Sequence, residues 1–503
     1  MEKHIIPPSS AVEITMQTNT PLSHTDRIVY QRELSAIEIR LASIRHEIYE
    51  AEEKIRALRE EETRLTGYAQ SYKTVLHPIR GIPEDILRLI FLACVLDSKR
   101  STNSLDPTLP PWILGQVCHR WRQVALSSPP LWSSIRLTLH DSRITADKIS
   151  GMACQLASQL RRSGNLPLDV IVLASPALSP DDPLLFTICS HSSRWASLEL
   201  SLDIEDYSNV LRRISSIVKA DIPVLQFLSL YLRGLEGQVD NNVIDAFEFA
   251  PKLQHFTLIY GAGDPYASVK VPWSQIVRFF GLRNRYDAHS SSYGYLSQMS
   301  NITHLSDVIH VCEPGTRIHL PHLRVLSLTQ SIGYRGQSPT VLDRIQPGNQ
   351  FHDMRITSGV PVGSLSNFLI RSGSTLQTLY LDSKCVGDIA RILESVPQLV
   401  CLSVYNVTEG LLRALTECNA SNTMPRSLPR LRSFGLYEAL PPDQRALVVK
   451  MVSTRMTFTS NALQKLSISK PIVLTAEIRE ILEAFQTDGL EIDENPTSWI
   501  EYF

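Results

Sequence analysis

The side chains best suited to catalysis are scattered and form none of the common catalytic or nucleotide-binding motifs. Gly261-Ala262-Gly263-Asp264 lacks the third glycine and the following helix that dinucleotide binding requires. Gly363-Ser364 is not followed by a glycine two residues later, so it is not the nucleophile elbow of a hydrolase. No His-Glu-x-x-His pair and no phosphate-binding loop ending in Gly-Lys-Ser or Gly-Lys-Thr occurs. We therefore predict that the chain is not an enzyme and uses no cofactor.

Histidines and cysteines, the usual metal ligands, also lack a ligand pattern. Four histidines lie close in sequence, but two of them fall beside predicted strand ends, where they are as readily exposed loop residues: His304, His310, His319 and His322. The eight cysteines are far apart and include no Cys-x-x-Cys pair. We predict no metal site and interpret the cysteines as reduced, mostly buried thiols.

Length, charge and hydropathy restrict the remaining classes of protein. A chain of 503 residues exceeds the roughly 250–300 residues that one compact core accommodates, so several domains or a repeat array are expected. A net charge of −2 provides no global attraction to nucleic acid or to an anionic membrane. No secretory signal is present, and no window reaches the roughly 18 apolar residues of a membrane span. We expect an intracellular protein of the cytoplasm or nucleus, with neither nucleic acid nor membrane as a partner.

The N-terminal part has two compositions. Residues 1–25 are rich in Pro, Ser, Thr and Asn, which predicts a disordered tail. Residues 26–75 carry a heptad repeat in which only Glu62 interrupts the apolar seam of Leu34, Ile37, Leu41, Ile44, Ile48, Ala51, Ile55, Leu58, Leu65, Ala69 and Tyr72. This pattern predicts a helix about 65 Å long at 1.5 Å per residue. Because an uncovered apolar stripe is poorly stable, the helix forms an intermolecular coiled coil or folds back on its own chain. We favour self-association.

Residues 76–135 have the pattern of short helices. Pro83 suits a first helical turn, and Glu84 and Asp85 suit the positive end of a helix dipole. Apolar residues then recur at steps of three and four, with two more widening the stripe: Ile82, Ile86, Leu89, Ile90 and Ala93, then Leu87 and Phe91. So wide a stripe predicts a partner, although an ordinary buried amphipathic helix is the commoner explanation. Prolines follow at Pro107, Pro110 and Pro111 and interrupt a second helix.

This segment resembles an F-box in two places that occur in the right order. The first is His77-Pro78-Ile79-Arg80 with the helix after it, and the second is Val117-Cys118 followed by Arg120-Trp121-Arg122. The exit Pro129-Pro130-Leu131-Trp132 and the long helix before the segment are similar to those of fungal, basidiomycete-type F-box proteins. The resemblance implies docking to a Skp-type adaptor of a cullin-RING ubiquitin ligase. It implies adaptor contacts by Ile82, Pro83, Ile86, Leu87, Ile90, Phe91, Val117, Cys118 and Trp121.

A repeated Leu-x-x-Leu-x-Leu motif occupies most of residues 136–503, and it is typical of the strands of leucine-rich repeats. Clear motifs begin at Leu225, Leu253, Leu323, Leu376, Leu399, Leu431 and Leu463, and weaker ones at Trp195, Trp273, Ile302 and Phe351. Their starts are about 20 to 32 residues apart, close to the expected repeat length. Residues 167–173 alternate as an opening strand. We therefore predict an α/β fold with a long N-terminal helix, a helical F-box and a leucine-rich-repeat solenoid of parallel strands with helical returns.

Strand alternation also predicts which residues face outward. The leucines point into the core, and the residues between them line up in columns on a concave sheet, where we expect a protein substrate to bind. The predicted columns are Phe227, His255, Val325, Thr378, Cys401, Ser433, Lys465; Ser229, Thr257, Ser327, Tyr380, Ser403, Gly435, Ser467; and Tyr231, Ile259, Thr329, Asp382, Tyr405, Tyr437, Ser469.

Two residue types could contact a substrate on these columns. Tyr231, Tyr380, Tyr405 and Tyr437 are candidate anchors, although tyrosine is also simply a good strand former. Arginines recur in two groups that could bind an acidic partner or merely form a solvated face: Arg278, Arg283, Arg285, and Arg426, Arg430, Arg432.

Two functional hypotheses follow. In the first, the protein is a substrate-recognition subunit that docks the adaptor through residues 76–135 and a substrate through the solenoid. In the second, it is a coiled-coil and leucine-rich-repeat scaffold whose F-box-like segment only caps the solenoid. A cap would bury Pro83, Phe91 and Trp121 against the repeats, whereas a docking module would leave an apolar patch of several hundred Å² exposed.

Overall fold

The structure, a computed structural model, describes residues 10–18, 21–98, 103–139, 146–174, 181–203, 207–218, 221–233, 244–260, 269–283, 293–309, 315, 317–330, 340–357, 360–381, 392–405, 407–419, 424–437, 442–458, 462–468 and 476–493. The chain divides into two compact units, Met1–Ile86 and Leu87–Phe503. None of the helices within the described ranges combines the length and the hydropathy that a membrane crossing requires.

The first unit is helical. It contains α1 (Ser10–Thr18), α2 (His24–Val75) and a 3₁₀ turn at Pro78–Gly81. Ser23 caps α2 by accepting a hydrogen bond from the Asp26 N–H at 3.2 Å, which starts the helix two residues before the predicted position. The 52 residues of α2 span about 78 Å at 1.5 Å per residue. None of them is buried.

The disordered tail predicted for residues 1–25 is wrong over α1. The flanking prolines and serines dominate the composition of this stretch, but Ser10–Thr18 itself contains neither proline nor glycine and forms a helix. Residues 1–9 lie outside the described residues.

A helical segment opens the second unit. Helix α3 (Glu84–Ser98) begins in the first unit and continues into the second, as Pro83 and the two acidic residues after it predicted. The proline-rich stretch forms turns instead of a long helix and leads through a 3₁₀ turn, Ile113–Gln116, to α4 (His119–Leu126). A further 3₁₀ turn at Pro129–Leu131 ends the segment.

A large parallel sheet forms the rest of the second unit. Within the described ranges it has 14 strands, which follow one another in chain order, and β8 and β10 form a separate two-stranded sheet. The strands are β1 (Ser134–Leu139), β2 (Leu168–Ala174), β3 (Trp195–Asp203), β4 (Phe227–Arg233), β5 (His255–Tyr260), β6 (Arg278–Arg283), β7 (His304–Ile309), β8 (Ile318–Leu320), β9 (Val325–Gln330), β10 (Ile345–Pro347), β11 (Asp353–Thr357), β12 (Thr378–Leu381), β13 (Cys401–Val404), β14 (Ser433–Leu436), β15 (Lys465–Ile468) and β16 (Glu491–Asp493).

Helices connect many of these strands. They are α5 (Ala146–Arg162), α6 (Pro183–Cys189), α7 (Tyr207–Val218), α8 (Val341–Arg344), α9 (Val362–Ser372), α10 (Glu409–Thr416), α11 (Pro442–Met456) and α12 (Ala476–Thr487). The α/β class with a long N-terminal helix is therefore confirmed, and a parallel sheet in chain order with helical returns is a solenoid-like arrangement.

The leucine positions of the repeated motif form the core. Leu379, Leu402, Phe434 and Leu466 lie side by side on adjacent strands and are fully buried. Along β5, buried positions alternate with half-buried ones. On β13, β14 and β15 only the first outward position is half-buried, and the next one, Ser403, Gly435 or Ser467, is buried. Stacking each strand on the next covers an apolar face that no single repeat could bury alone.

The strand register confirms which residues of the predicted columns lie side by side, although Val325, Ser327, Ser403 and Ser467 are buried and do not face outward. It also corrects three details. Trp273 lies in a 3₁₀ turn, so the motif of β6 begins three residues later, at Ile276. The predicted boundary between residues 135 and 136 falls inside β1, and β16 was not predicted. Asp382 and Ser469 lie outside the described residues.

Candidate interaction surfaces

Helix α3 is apolar on two sides. One side, Leu87, Phe91 and Val95, recurs every four residues and is almost completely buried. The other side, which we call the outer face of α3, consists of Leu89, Ile90 and Leu96, and these side chains are 62%, 41% and 51% exposed. A helix that needed only one buried stripe would carry polar residues on the opposite side. The outer face of α3 is therefore a candidate contact surface for another protein.

The predicted adaptor contacts divide into accessible and inaccessible residues. Pro83, Ile86, Ile90, Val117 and Cys118 are exposed, and Ile82 and Trp121 are half-buried. Leu87 and Phe91 are fully buried, so in this structure they are not accessible to an adaptor. The Phe91 ring lies 4.9 Å from the Trp121 ring, which shows that these residues stabilise the helical segment itself.

Cys118 has a structural role within this segment. Its sulfur caps α4 by accepting a hydrogen bond from the Trp121 N–H at 3.5 Å. The preceding residue, Val117, is 58% exposed. The second predicted half of the site therefore contributes one exposed apolar side chain and one helix cap.

The same helical segment covers the first edge of the large sheet. The Ser104 N–H donates to the carbonyl of Arg136 on β1 at 2.8 Å, and the Arg136 N–H donates to the Ser104 hydroxyl at 3.1 Å. Gln159 on α5 donates to the Ser134 carbonyl at 2.9 Å. These bonds satisfy an edge that would otherwise expose unpaired backbone groups.

The second candidate surface is the set of outward residues on the large sheet, which we call the column face. A depression of about 460 Å³ lies on it, between β4 and β11. Its lining combines basic and aromatic side chains: Tyr231, His255, Phe256, Thr257, Arg278, Phe279, Phe280, His304, Val325 and Arg355. In the first column, the register places His255, Arg278 and His304 on three successive strands.

Charge and burial act on the two histidines of this depression. Burial and the nearby Arg278 cation lower the pKa of His255 below its ordinary value. The pKa of His304 is lowered by burial and by Arg278, Arg324 and His352, against an opposing effect of Asp353. Both imidazoles are therefore mainly neutral at pH 7. Asp353 forms an ion pair with Arg355 at 3.2 Å.

Aromatic contacts shape one side of the depression. The Phe227 and His255 rings stack at a centroid distance of 4.5 Å and an interplanar angle of 14°. Phe227 nevertheless stays 45% exposed. A large exposed aromatic ring held by a stacking partner is a rigid apolar contact for a ligand.

The four predicted tyrosine anchors do not form one site. Tyr380 and Tyr437 touch through an edge contact at 5.8 Å. Tyr405, which directly follows β13, is 42% exposed. Tyr231 lines the depression, with five strands between it and Tyr380. Burial and Glu199 raise the pKa of Tyr231.

The depression itself was not predicted, although Arg278 was named among the arginines that could bind an acidic partner. Starting a motif at Trp273 placed Arg278 at an inward position, whereas the structure turns Arg278 outward and buries Phe279. The correct motif begins with Ile276 and has Phe279 as its second core position, so the sequence did contain the signal for this register. His304 and His319, grouped in the sequence, lie on different sheets, and His310 is outside the described residues.

In comparisons with known proteins, no protein-family model matches the chain, and no curated protein matches it.

Proposed function

We propose that this protein is a substrate-recognition subunit of a Skp-cullin-F-box type ubiquitin ligase, with a leucine-rich-repeat solenoid as its receptor domain. The outer face of α3 would contact the Skp-type adaptor, and the column face would bind a protein substrate. The proposal rests on one observation above all: within the part of the chain that the structure describes, α3 has a second apolar side that is exposed. Ubiquitin transfer would be carried out by the partner proteins.

Capping and docking do not exclude each other here. Residues 103–132 cover the first edge of the sheet, as the scaffold hypothesis expects. Leu89, Ile90 and Val117 remain exposed, as the receptor hypothesis expects. The scaffold alternative gains support from α2, whose apolar seam is also exposed. Capture of the adaptor distinguishes the two hypotheses.

Replacing Ile90 with aspartate tests the adaptor contact. Burying a large apolar side chain contributes about 1.5–3 kcal/mol, so a charge in that contact should weaken association at least about tenfold. Because Ile90 is 41% exposed, the substitution should leave the chain folded. The measurement is the yield of Skp-type adaptor that co-purifies with the full chain, with circular dichroism as the check of folding.

Gln123→Asp is the matched control. Gln123 is exposed on α4, and its replacement adds the same charge to the same helical segment. We expect the control to capture adaptor at wild-type yield. Undiminished capture by a folded Ile90→Asp protein would exclude the outer face of α3 as the adaptor contact, and absence of capture by the wild type would favour the scaffold.

A further inference from the structure

The depression on the column face has a surplus of positive charge. Arg278 is exposed near its centre, and Arg355 lines it from β11. The nearest described carboxylate in the first column, Asp353, is already paired with Arg355. Burial, and after it the Arg278 cation, lowers the pKa of both neighbouring histidines, so the charge of Arg278 reaches both sides of the depression. The field here therefore favours an anionic ligand.

The apolar lining restricts the kind of anion. Phe280 and Val325 line the depression among the basic residues. Phe227 lies next to it, stacked flat against the lining residue His255. The face is open and extends over neighbouring strands in both directions. A small anion would use the charges and leave the aromatic rings in water, whereas a polypeptide segment can place carboxylates and apolar side chains side by side.

We propose that this depression binds an acidic segment of a partner protein, with Asp or Glu carboxylates toward Arg278 and an apolar side chain against Phe227. The inference rests on the proposed function, because it assigns a chemical class to the substrate of the column face. Carboxylates near His255 and His304 favour the protonated imidazoles. Binding therefore takes up protons, and affinity rises as the pH falls toward the ordinary histidine pKa of about 6.5.

Peptide binding to the full chain tests this proposal. The probes are two short fluorescent peptides of equal length, one with Glu residues around a Leu and a Phe, the other with Lys in place of each Glu. Fluorescence anisotropy should show binding of the Glu peptide only, weakened by added salt and tightened between about pH 7.5 and pH 6. Arg278→Glu should reduce its affinity about tenfold or more.

Arg430→Glu provides the control, because Arg430 is exposed in the turn before β14 and adds the same charge change outside the depression. Equal binding of both peptides, or an unchanged affinity in the Arg278→Glu protein, would overturn the proposal. Adaptor capture by the same variants keeps this result separate from the proposed function. If the Glu peptide does not bind but the adaptor is captured normally, only the assignment of an acidic segment is excluded. If the adaptor is not captured, only the ligase assignment is excluded.

A second, independent inference concerns α2. The residues that flank its apolar seam change sign from one heptad to the next: Glu33 and Glu38, Arg40 and Arg45, Glu47 and Glu52, Lys54 and Arg59. In a parallel dimer in register, the residue just before Leu34, Leu41, Ile48 or Ile55 of one helix faces the residue five positions later on the other helix. Every one of these four pairs would join like charges, which opposes that arrangement.

An antiparallel pair removes this conflict. When Leu34 of one copy lies opposite Leu65 of the second, Leu41 meets Leu58 and Ile44 meets Ile55. The flanking residues then pair as Arg40 with Glu61 and Glu47 with Lys54, which are opposite charges. The arrangement is two-fold symmetric and closes with two chains. We propose that the seam of α2 binds a second copy of this chain in the antiparallel orientation.

Disulfide cross-linking in the full chain measures this orientation. Leu34→Cys and Leu65→Cys proteins are oxidised separately and after mixing, with the wild type reporting the background from native cysteines. The antiparallel pair predicts a covalent dimer in the mixture and only background in either protein alone. Cross-linking of Leu34→Cys alone would show a parallel pair, and a monomer in sedimentation of the wild type would exclude self-association; either outcome overturns the proposal.

Discussion

At the scale of single residues, the side chain of Arg455 is a charged group inside the core, where it needs hydrogen-bond partners in place of water. It is completely buried near the end of α11 and donates three hydrogen bonds to backbone carbonyls, those of Leu415 at 3.0 Å, Leu428 at 2.7 Å and Ser427 at 2.6 Å. Burial lowers its pKa to about 10, so it remains charged at pH 7. Leu428 has a positive φ of 50°, and Arg455 holds this strained turn against α10.

Replacing Arg455 with methionine should destabilise the second unit by about 3 kcal/mol or more, because three buried carbonyls lose their donors at once. Arg455→Lys should recover little of this loss, since an ammonium cannot reproduce the planar fork of the guanidinium. The midpoint of urea unfolding measures both effects. Lys450→Met, on the exposed side of α11, is the control and should change stability by less than about 0.5 kcal/mol. Equal midpoints for Arg455→Met and the control would contradict the assigned role.

At the scale of elements, strands were predicted better than helix orientation. The repeated motif gives the strand register because its leucines alternate with outward residues, and β4, β5, β9 and β12 to β15 follow it directly. It failed at β6, where Trp273 stands three residues before the true first anchor and packs against Phe279 at 5.7 Å from a 3₁₀ turn. From the sequence alone, a buried aromatic residue in a turn before the strand cannot be told from the first core residue of the motif.

Helix α3 shows why the site was predicted only in part. Its sequence carries two apolar stripes, and periodicity alone does not say which one faces the interior. The stripe of Leu87 and Phe91 is buried because the Phe91 ring packs against Trp121, a residue of another helix. That choice depends on a contact between distant parts of the chain. The sequence therefore predicted the helix, but two residues of its buried stripe, Leu87 and Phe91, were placed among the expected partner contacts.

At the scale of the whole second unit, the helical segment and the sheet form one structure through α5. The Arg162 guanidinium lies over two indole rings, at 4.8 Å from Trp112 and 4.6 Å from Trp132, and these rings contact each other at 4.9 Å. Trp132 also donates a hydrogen bond to the Ala125 carbonyl of α4 at 2.9 Å. The contacts fix α4 relative to the first strands, so a partner held at the helical segment would stand in a defined position relative to the column face.

Arg162→Ala should loosen this connection without unfolding the sheet. Each cation–π contact contributes about 0.5–2 kcal/mol, so the loss should appear as faster amide exchange in residues 103–132. Hydrogen–deuterium exchange by mass spectrometry measures it, and β12 to β15 should keep their wild-type rates. Arg161→Ala is the matched control, since Arg161 is the exposed neighbour on the same helix. Faster exchange throughout the sheet would mean that Arg162 stabilises the entire unit, and no change in 103–132 would mean that the segment is held by other contacts, above all the bonds of Ser104 and Gln159 to β1.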